Sequence, residues 1–130
     1  MSHGQFVAVE SRDLRPFTLF HGMERSTKMV QWQSRFQHRW VNWTGRLISF
    51  TANGFTIKEY RDTLLFDMSV RVDKERQRAL KAMYKPGEFV RFVGELDSYD
   101  DVLPTLFLVH GNILAKVAPY KLEESPLPAR

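Results

Sequence analysis

The middle of the chain carries six side chains suited to holding a single strand of nucleic acid. They are aromatic rings that can stack on bases and cations that can contact phosphates, namely Phe55, Lys58, Tyr60, Arg61, Phe66 and Arg71. Stacking of this kind accepts any base, because every base presents an aromatic face. The alternative for Phe55 and Phe66 is that both rings fill a hydrophobic core.

The alternation of side chains along residues 55–60 leaves two orientations open. If Phe55, Ile57 and Glu59 face inward, Lys58 and Tyr60 lie on the ligand side. If those three residues face outward, Phe55 becomes the stacking ring. Successive residues of a strand point to opposite faces, so a shift of one residue exchanges the two sets.

Catalytic and metal-binding patterns are absent from the sequence. The chain has no cysteine, which removes thiolate nucleophiles and cysteine zinc ligands. Its four histidines are far apart in the sequence, at His3, His21, His38 and His110. No serine stands in a nucleophile elbow, and no glycine-rich phosphate loop occurs. We therefore expect a protein that is not an enzyme, with no catalytic residue, no cofactor and no metal ion.

Three carboxylates stand close together late in the chain, at Asp97, Asp100 and Asp101. Negative charge at this position would repel phosphates, which argues against nucleic acid at the nearby surface. Oxygen ligands also suit a divalent cation, but the spacing matches no calcium-binding loop. We expect a solvated acidic loop.

Five strands and one helix must position these residues. A two-residue alternation predicts strands at 40–50, 55–60, 64–72 and 89–96, and a last strand at 106–109 and 113–117 interrupted near His110. Asn53-Gly54 predicts a hairpin turn in which both residues adopt positive φ. Asp73 is the predicted N-cap of a helix from Lys74 to Tyr84, which ends at Lys85-Pro86-Gly87.

This order of elements predicts an all-β fold, the five-stranded Greek-key OB barrel. Three strands, a helix and two further strands follow one another in that fold, with the helix between strands three and four. An SH3-like barrel is the nearest alternative, and a split α+β sandwich is another. We expect the barrel to span residues 40–118, with an N-terminal extension at 1–39 and a flexible tail at 119–130.

The N-terminal extension contains a predicted helix at about 27–37, with Ser26 as its N-cap. Spacings of three and four residues place Met29, Trp32, Phe36 and Trp40 on one face. These rings, with Trp43, Arg35 and Arg39, could stack bases, but a shared apolar face favours packing over the open end of the barrel. The remaining helix surface is a candidate contact for a homodimer or a protein partner.

Two segments resemble bacterial OB-fold domains of the kind likened to tRNA-anticodon-binding domains. The first is WVNWTGRL at residues 40–47, and the second is YKPGEFVRFVGEL at residues 84–96. The helix at 26–36 resembles the segment that precedes the barrel in some members, so the resemblance covers about residues 26–117. It implies an OB barrel and, by analogy, nucleic-acid binding, while the shared glycines and apolar positions specify the barrel and not a ligand.

Charge and composition set the remaining expectations. The net charge is +4, and residues 1–40 hold six Lys or Arg against three acids, so the barrel itself is close to neutral. No apolar stretch approaches the roughly 20 residues of a membrane-spanning helix. Met1 to Gln5 lacks a signal-peptide pattern. The sequence as given therefore predicts a cytoplasmic protein, whereas removal of a signal peptide would make an exported protein the expectation, so the location stays open.

Together these observations predict a non-enzymatic OB-fold module that binds single-stranded DNA or RNA. The alternative is a protein-interaction or assembly domain with no nucleic-acid ligand, which the neutral barrel and the acidic segment favour. The two differ in a measurable way, because binding to a polyanion weakens steeply as salt is added.

Overall fold

The computed structural model describes residues 24–61, 66–100 and 105–122. In this part of the chain, five strands close into a barrel and two helices lie outside it. The elements are α1 (Arg25–Gln31), which continues as a π-helical turn (Trp32–Phe36), β1 (Trp40–Phe50), β2 (Gly54–Lys58), β3 (Met68–Arg71), α2 (Lys74–Met83), β4 (Phe89–Asp100) and β5 (Thr105–Lys116). The predicted all-β barrel with a helix between strands three and four is confirmed.

The strands follow the order β1-β2-β3-β5-β4, and β4 pairs with β1 to close the barrel. All neighbouring strands are antiparallel except β3 and β5, which run parallel. This is the topology of the OB barrel. In the described ranges each strand pairs with a neighbour on both sides over part of its length, so outward side chains and connecting loops make up most of the surface that a ligand could contact.

Inward-facing residues from all five strands form a single core. Phe55 and Phe92 meet edge to face inside it, with their ring centroids 6.3 Å apart. The core residues of the barrel with essentially no exposure are Val41, Leu47, Phe55, Ile57, Met68, Val70, Val90, Phe92, Leu96, Leu106 and Leu108. Burial of one such side chain stabilises the fold by about 1.5–3 kcal/mol.

The β1–β2 turn differs from the prediction. Among the described residues, only His38, His110 and Gly87 have positive φ, so the expected left-handed turn at Asn53 and Gly54 is wrong. Gly54 is instead the first residue of β2, and a Cβ there would lie 1.8 Å from the backbone oxygen of Val70 on β3. The glycine is required by the close approach of two strands.

Helix α2 begins as predicted. The side chain of Asp73 accepts a hydrogen bond from the backbone N–H of Arg76 at 2.9 Å, which satisfies one of the unpaired N–H groups of the first turn. Gln77 is buried and donates from Nε2 to the carbonyl oxygens of Thr51 and Gly54. These contacts fix the helix against the β1–β2 turn at one end of the barrel.

Strands β4 and β5 are longer than predicted. β4 continues to Asp100, so Asp97 belongs to a strand and not to a loop. β5 is continuous, and the predicted break is a local irregularity in which His110 adopts a φ of 54°. A register shift between β4 and β5 spans this position, between the pairs Val93–Asn112 and Glu95–Val109, and lets the strand curve without ending. The predicted start of β3, at 64, lies outside the described residues.

Helix α1 begins at Arg25 with Glu24 as its N-cap, so the predicted N-cap at Ser26 is wrong. Trp32 and Phe36 are buried in the core, as expected, and Trp32 Nε1 donates to the carbonyl oxygen of Asp97 at 3.2 Å. Met29 is 52% exposed, because only the final π-helical turn packs against the barrel. The helix therefore contacts the barrel through its last turn.

Candidate functional site

Two of the six predicted ligand residues are buried, so their proposed stacking role is wrong. Phe55 is fully buried in the core, and Tyr60 is only 3% exposed. Phe55 and Ile57 face inward and Lys58 faces outward, which is the first of the two orientations that the sequence allows. The alternation then breaks, because the Asp67 carboxylate accepts hydrogen bonds from the backbone N–H groups of Glu59 and Tyr60 and turns the chain.

The other four predicted residues are accessible but do not form one site. Arg61 and Arg71 are exposed, while Lys58 and Phe66 are half-buried. Arg71 lies opposite Gly54 at one end of β2, and Lys58 is the last residue of that strand. Four residues of strand separate the two positions, which corresponds to about 13 Å.

Lys58 belongs to a group of basic and aromatic side chains on the outer face of β1, β2 and β4. Arg46 of β1 lies opposite Lys58 of β2 on one side and opposite Phe89 of β4 on the other. Two residues earlier on β1, Thr44 lies opposite Arg91. Together with one ring from the segment after β5, this group is called the wall surface, consisting of Arg46, Lys58, Phe89, Arg91 and Tyr120.

Tyr120 is held on the wall surface by two contacts. Its ring centroid lies 4.7 Å from that of Phe89, and its hydroxyl donates to Thr44 Oγ1 at 3.2 Å. The segment leading to it is anchored by the backbone N–H of Val117, which donates to the carbonyl oxygen of Phe89. These contacts fix the ring in place. Because 41% of Tyr120 remains exposed, the ring is still open to a stacking partner.

The two arginines give the wall surface a local excess of positive charge. Arg46 and Arg91 are exposed and have no ion-pair partner among the described residues. The neighbouring carboxylate of Glu88 is already paired with Lys116, whose ammonium lies 2.9 Å away. The hydrogen bond from Lys116, followed by one from the Lys85 backbone N–H, lowers the pKa of the Glu88 carboxyl. The negative charge of Glu88 is therefore balanced by Lys116 and does not offset the arginines of the wall surface.

A pH titration tests whether Tyr120 lies against the barrel. Partial burial raises the pKa of its phenol above the ordinary value of 10.0, and the nearby charge of Glu59 adds to the rise. The folded state then holds this proton more tightly, so the contact is fully present below pH 10.0 and is lost as pH rises through the folded pKa.

We expect the difference in phenolate absorbance between the wild type and Tyr120→Phe to have a midpoint above pH 10.0. A midpoint at or below that value would show that the ring is not packed on Phe89. Thr44→Val is the matched variant for the hydroxyl contact. When the phenol ionises, the Thr44 hydroxyl can donate to the phenolate oxygen, and this hydrogen bond lowers the pKa of Tyr120, so its removal should move the midpoint further upward.

A cleft lies on the opposite side of the barrel, where β5 runs between β3 and β4. It has a volume of about 270 Å³ and is lined by Asn53, Ser69, Val70, Arg71, Asp97, Ser98, Phe107, Leu108 and Val109. Arg71 is the single cation of this lining and Asp97 the single carboxylate, so the two formal charges cancel. Of the three carboxylates in the predicted acidic loop, Asp97 lines the cleft, and Asp101 lies outside the described residues.

Two histidines that are distant in the sequence meet at one carboxylate. His38 Nδ1 lies 3.0 Å from Glu95 Oε2, and His110 Nε2 lies 3.9 Å from Glu95 Oε1. Both rings are exposed to solvent. Across the described ranges, no three His, Asp or Glu side chains gather closely enough to hold a metal ion.

The chain matches no protein-family model and no curated protein. Within the residues that the structure describes, neither helix has the length and apolar character needed to cross a membrane. The wall surface and the cleft are therefore the two features from which function can be argued. They differ in charge, because the wall surface holds two arginines without an ion pair among the described residues and has Glu59 as a nearby carboxylate, whereas in the cleft one arginine is matched by one aspartate.

Proposed function

We propose that the protein is a non-enzymatic OB-fold module that binds single-stranded nucleic acid through the wall surface. The observation that carries this proposal is the exposed ring of Tyr120, fixed on Phe89 and flanked by the unpaired guanidinium groups of Arg46 and Arg91. A fixed ring beside cations is the arrangement that proteins use to hold a strand by stacking and phosphate contacts.

The same arrangement favours a single strand over a duplex. A base can stack on Tyr120 only if its own face is free, and the bases of a duplex are already stacked on one another. The contacts on the wall surface are ring faces and cations, which read no base edge. We therefore expect binding that depends weakly on nucleotide sequence and strongly on salt.

A fluorescent oligonucleotide titrated with the protein over a range of salt concentrations tests the proposal. Three phosphate contacts, at Arg46, Lys58 and Arg91, give an expected slope of about −2 in a plot of log affinity against log salt. A duplex of the same length should bind more weakly than the single strand at every salt concentration. No binding at the lowest salt concentration, or equal binding of the duplex, would contradict the proposal.

A protein-interaction domain is the second candidate, and the exposed part of α1 favours it. Met29 and Val30 are adjacent large apolar residues, 52% and 61% exposed, on the part of the helix that does not pack against the barrel. Light scattering of the same samples separates the two functions. A dimer that ignores oligonucleotide and becomes monomeric in Met29→Ser/Val30→Ser would replace the first proposal with this one.

A further inference from the structure

We infer that acid strengthens the binding of a single strand to the wall surface, through a cluster of His38, Glu95 and His110 further along β4. The site is the one proposed above, so the inference rests on the proposed function and adds a regulation to it. Three observations carry it. They are the place of the cluster on the barrel, the backbone of its two histidines and the charge that it gains when the imidazoles take up protons.

The cluster lies on the same face of the barrel as the wall surface. Arg91 and Glu95 both point to the outer side of β4, and the four residues of strand between them correspond to about 13 Å. β1 continues beside them, with Thr44 opposite Arg91 and Trp40 opposite Glu95. A strand that is held at Tyr120 and continues along β4 past Arg91 therefore reaches the cluster.

Two unusual backbone conformations hold the histidines beside the carboxylate of Glu95. His38 has a φ of 69° and His110 a φ of 54°, a region that glycine and asparagine enter more easily than other residues. The backbone N–H of His38 donates to the carbonyl oxygen of Leu96, and His110 lies in a register shift between β4 and β5. Two segments that are distant in the sequence thus bring His38 Nδ1 to 3.0 Å from one oxygen of Glu95 and His110 Nε2 to 3.9 Å from the other.

The two rings flank the carboxylate and remain accessible to a ligand. The side chains of His38 and His110 are 70% and 72% exposed, whereas that of Glu95 is 19% exposed. With neutral imidazoles the cluster holds one carboxylate and no cation, so it repels the phosphates of a strand that passes Arg91. Histidine side chains change charge between about pH 8 and pH 5. With both rings protonated, two cations outweigh the carboxylate, and their N–H groups can donate to phosphate oxygens.

The charged side chains around the cluster do not cancel this change. Arginine, lysine and aspartate side chains ordinarily keep their charges between about pH 5.5 and pH 8. Among the described residues, the charged side chains that come next along the elements adjoining the cluster are Arg35 on the π-helical turn, Arg39 before β1, Arg46 on β1, Arg91 and Asp97 on β4, and Lys116 on β5. The step in charge between these two pH values therefore comes from the two histidines.

Titrations of oligothymidine with the protein at pH 8.0 and pH 5.5, over a range of salt concentrations, test the inference. Thymine does not titrate between these values, and the label is a dye that is insensitive to pH. We expect the slope of log affinity against log salt to steepen from about −2 at pH 8.0 to about −3.5 at pH 5.5, because two phosphate contacts are added. Affinity at low salt should rise about tenfold over the same interval.

The variant His38→Asn/His110→Asn should keep a slope of about −2 at both pH values. Asparagine accepts positive φ and does not titrate, so this change removes the imidazoles while retaining the backbone. A thermal unfolding curve shows whether the fold is kept. The matched control is His3→Asn/His21→Asn, which removes the same number of imidazoles from a part of the chain outside the described residues. This control should still show the steeper slope at pH 5.5.

An equal steepening in His38→Asn/His110→Asn and in the wild type would overturn the inference, as would a complete loss of the steepening in the control. Binding without any dependence on pH would overturn the inference alone, whereas no binding at either pH would overturn the proposed function with it. If His38→Asn/His110→Asn does not fold, Glu95→Gln replaces it. Removal of this carboxylate should raise affinity about threefold at pH 8.0, and unchanged affinity in that variant would also overturn the inference.

Discussion

Replacing Gly54 with alanine is expected to lower the free energy of unfolding by about 3 kcal/mol, the upper end of the cost of forcing extra atoms into a packed site. The added Cβ would lie 1.8 Å from the carbonyl oxygen of Val70, within a pair of hydrogen-bonded strands. Neither backbone can move without disrupting the β2–β3 pairing. Urea unfolding followed by circular dichroism measures the change.

Two control variants separate this steric cause from the conformational one that the sequence suggested. Asn53→Ala should change stability by less than about 0.5 kcal/mol, because Asn53 does not adopt positive φ. Gly87→Ala should cost about 1–2 kcal/mol, because Gly87 has a φ of 98°. If Asn53→Ala costs as much as Gly54→Ala, the turn at Asn53-Gly54 is the left-handed one after all.

Reversing two charges on the wall surface is expected to lower oligonucleotide affinity by about two orders of magnitude at low salt. The Arg46→Glu/Arg91→Glu variant removes two phosphate contacts and adds two repulsive carboxylates close to the strand. The slope of log affinity against log salt should therefore approach zero. Fluorescence anisotropy of the labelled oligonucleotide, measured as for the wild type, gives both quantities.

The matched control for this prediction is Arg76→Glu/Arg78→Glu. Both residues are exposed on α2, away from the wall surface, and the change in net charge is identical. We expect this variant to lose little affinity. An equal loss in both variants would mean that total charge drives binding, and no loss in either would move the site to another surface such as Arg71.

The fold was predictable because its causes are local. Inward and outward residues alternate along β1 and the first part of β4, and this periodicity appears directly in the sequence. Asp73 caps α2 through a contact three residues away, so that signal was also within reach. The sequence does not predict the extended end of β4, because Asp97 and Asp100 are unusual in a strand and no local pattern shows that this segment pairs with β5.

The candidate site was less predictable because it depends on pairing between distant strands. Arg46 and Arg91 could each be read as outward-facing, but their proximity follows from the pairing of β1 with β4. The sequence around Tyr120 predicts a flexible tail, and only the contacts of Tyr120 with Phe89 and Thr44 reveal its fixed position. Phe55 shows the same limit, because the sequence allows an aromatic strand residue to face either a core or a binding surface.

By itself, the sequence determined the strands, the helix between the third and fourth of them, and hence the OB barrel, since backbone periodicity and capping act over a few residues. Only the tertiary structure decided which cations share a surface. Lys58 joins Arg46 through one strand pairing, whereas Arg71 lies in the cleft with Asp97. Closing a sheet into a barrel brings residues more than 40 positions apart into contact, and no local pattern records which ones will meet.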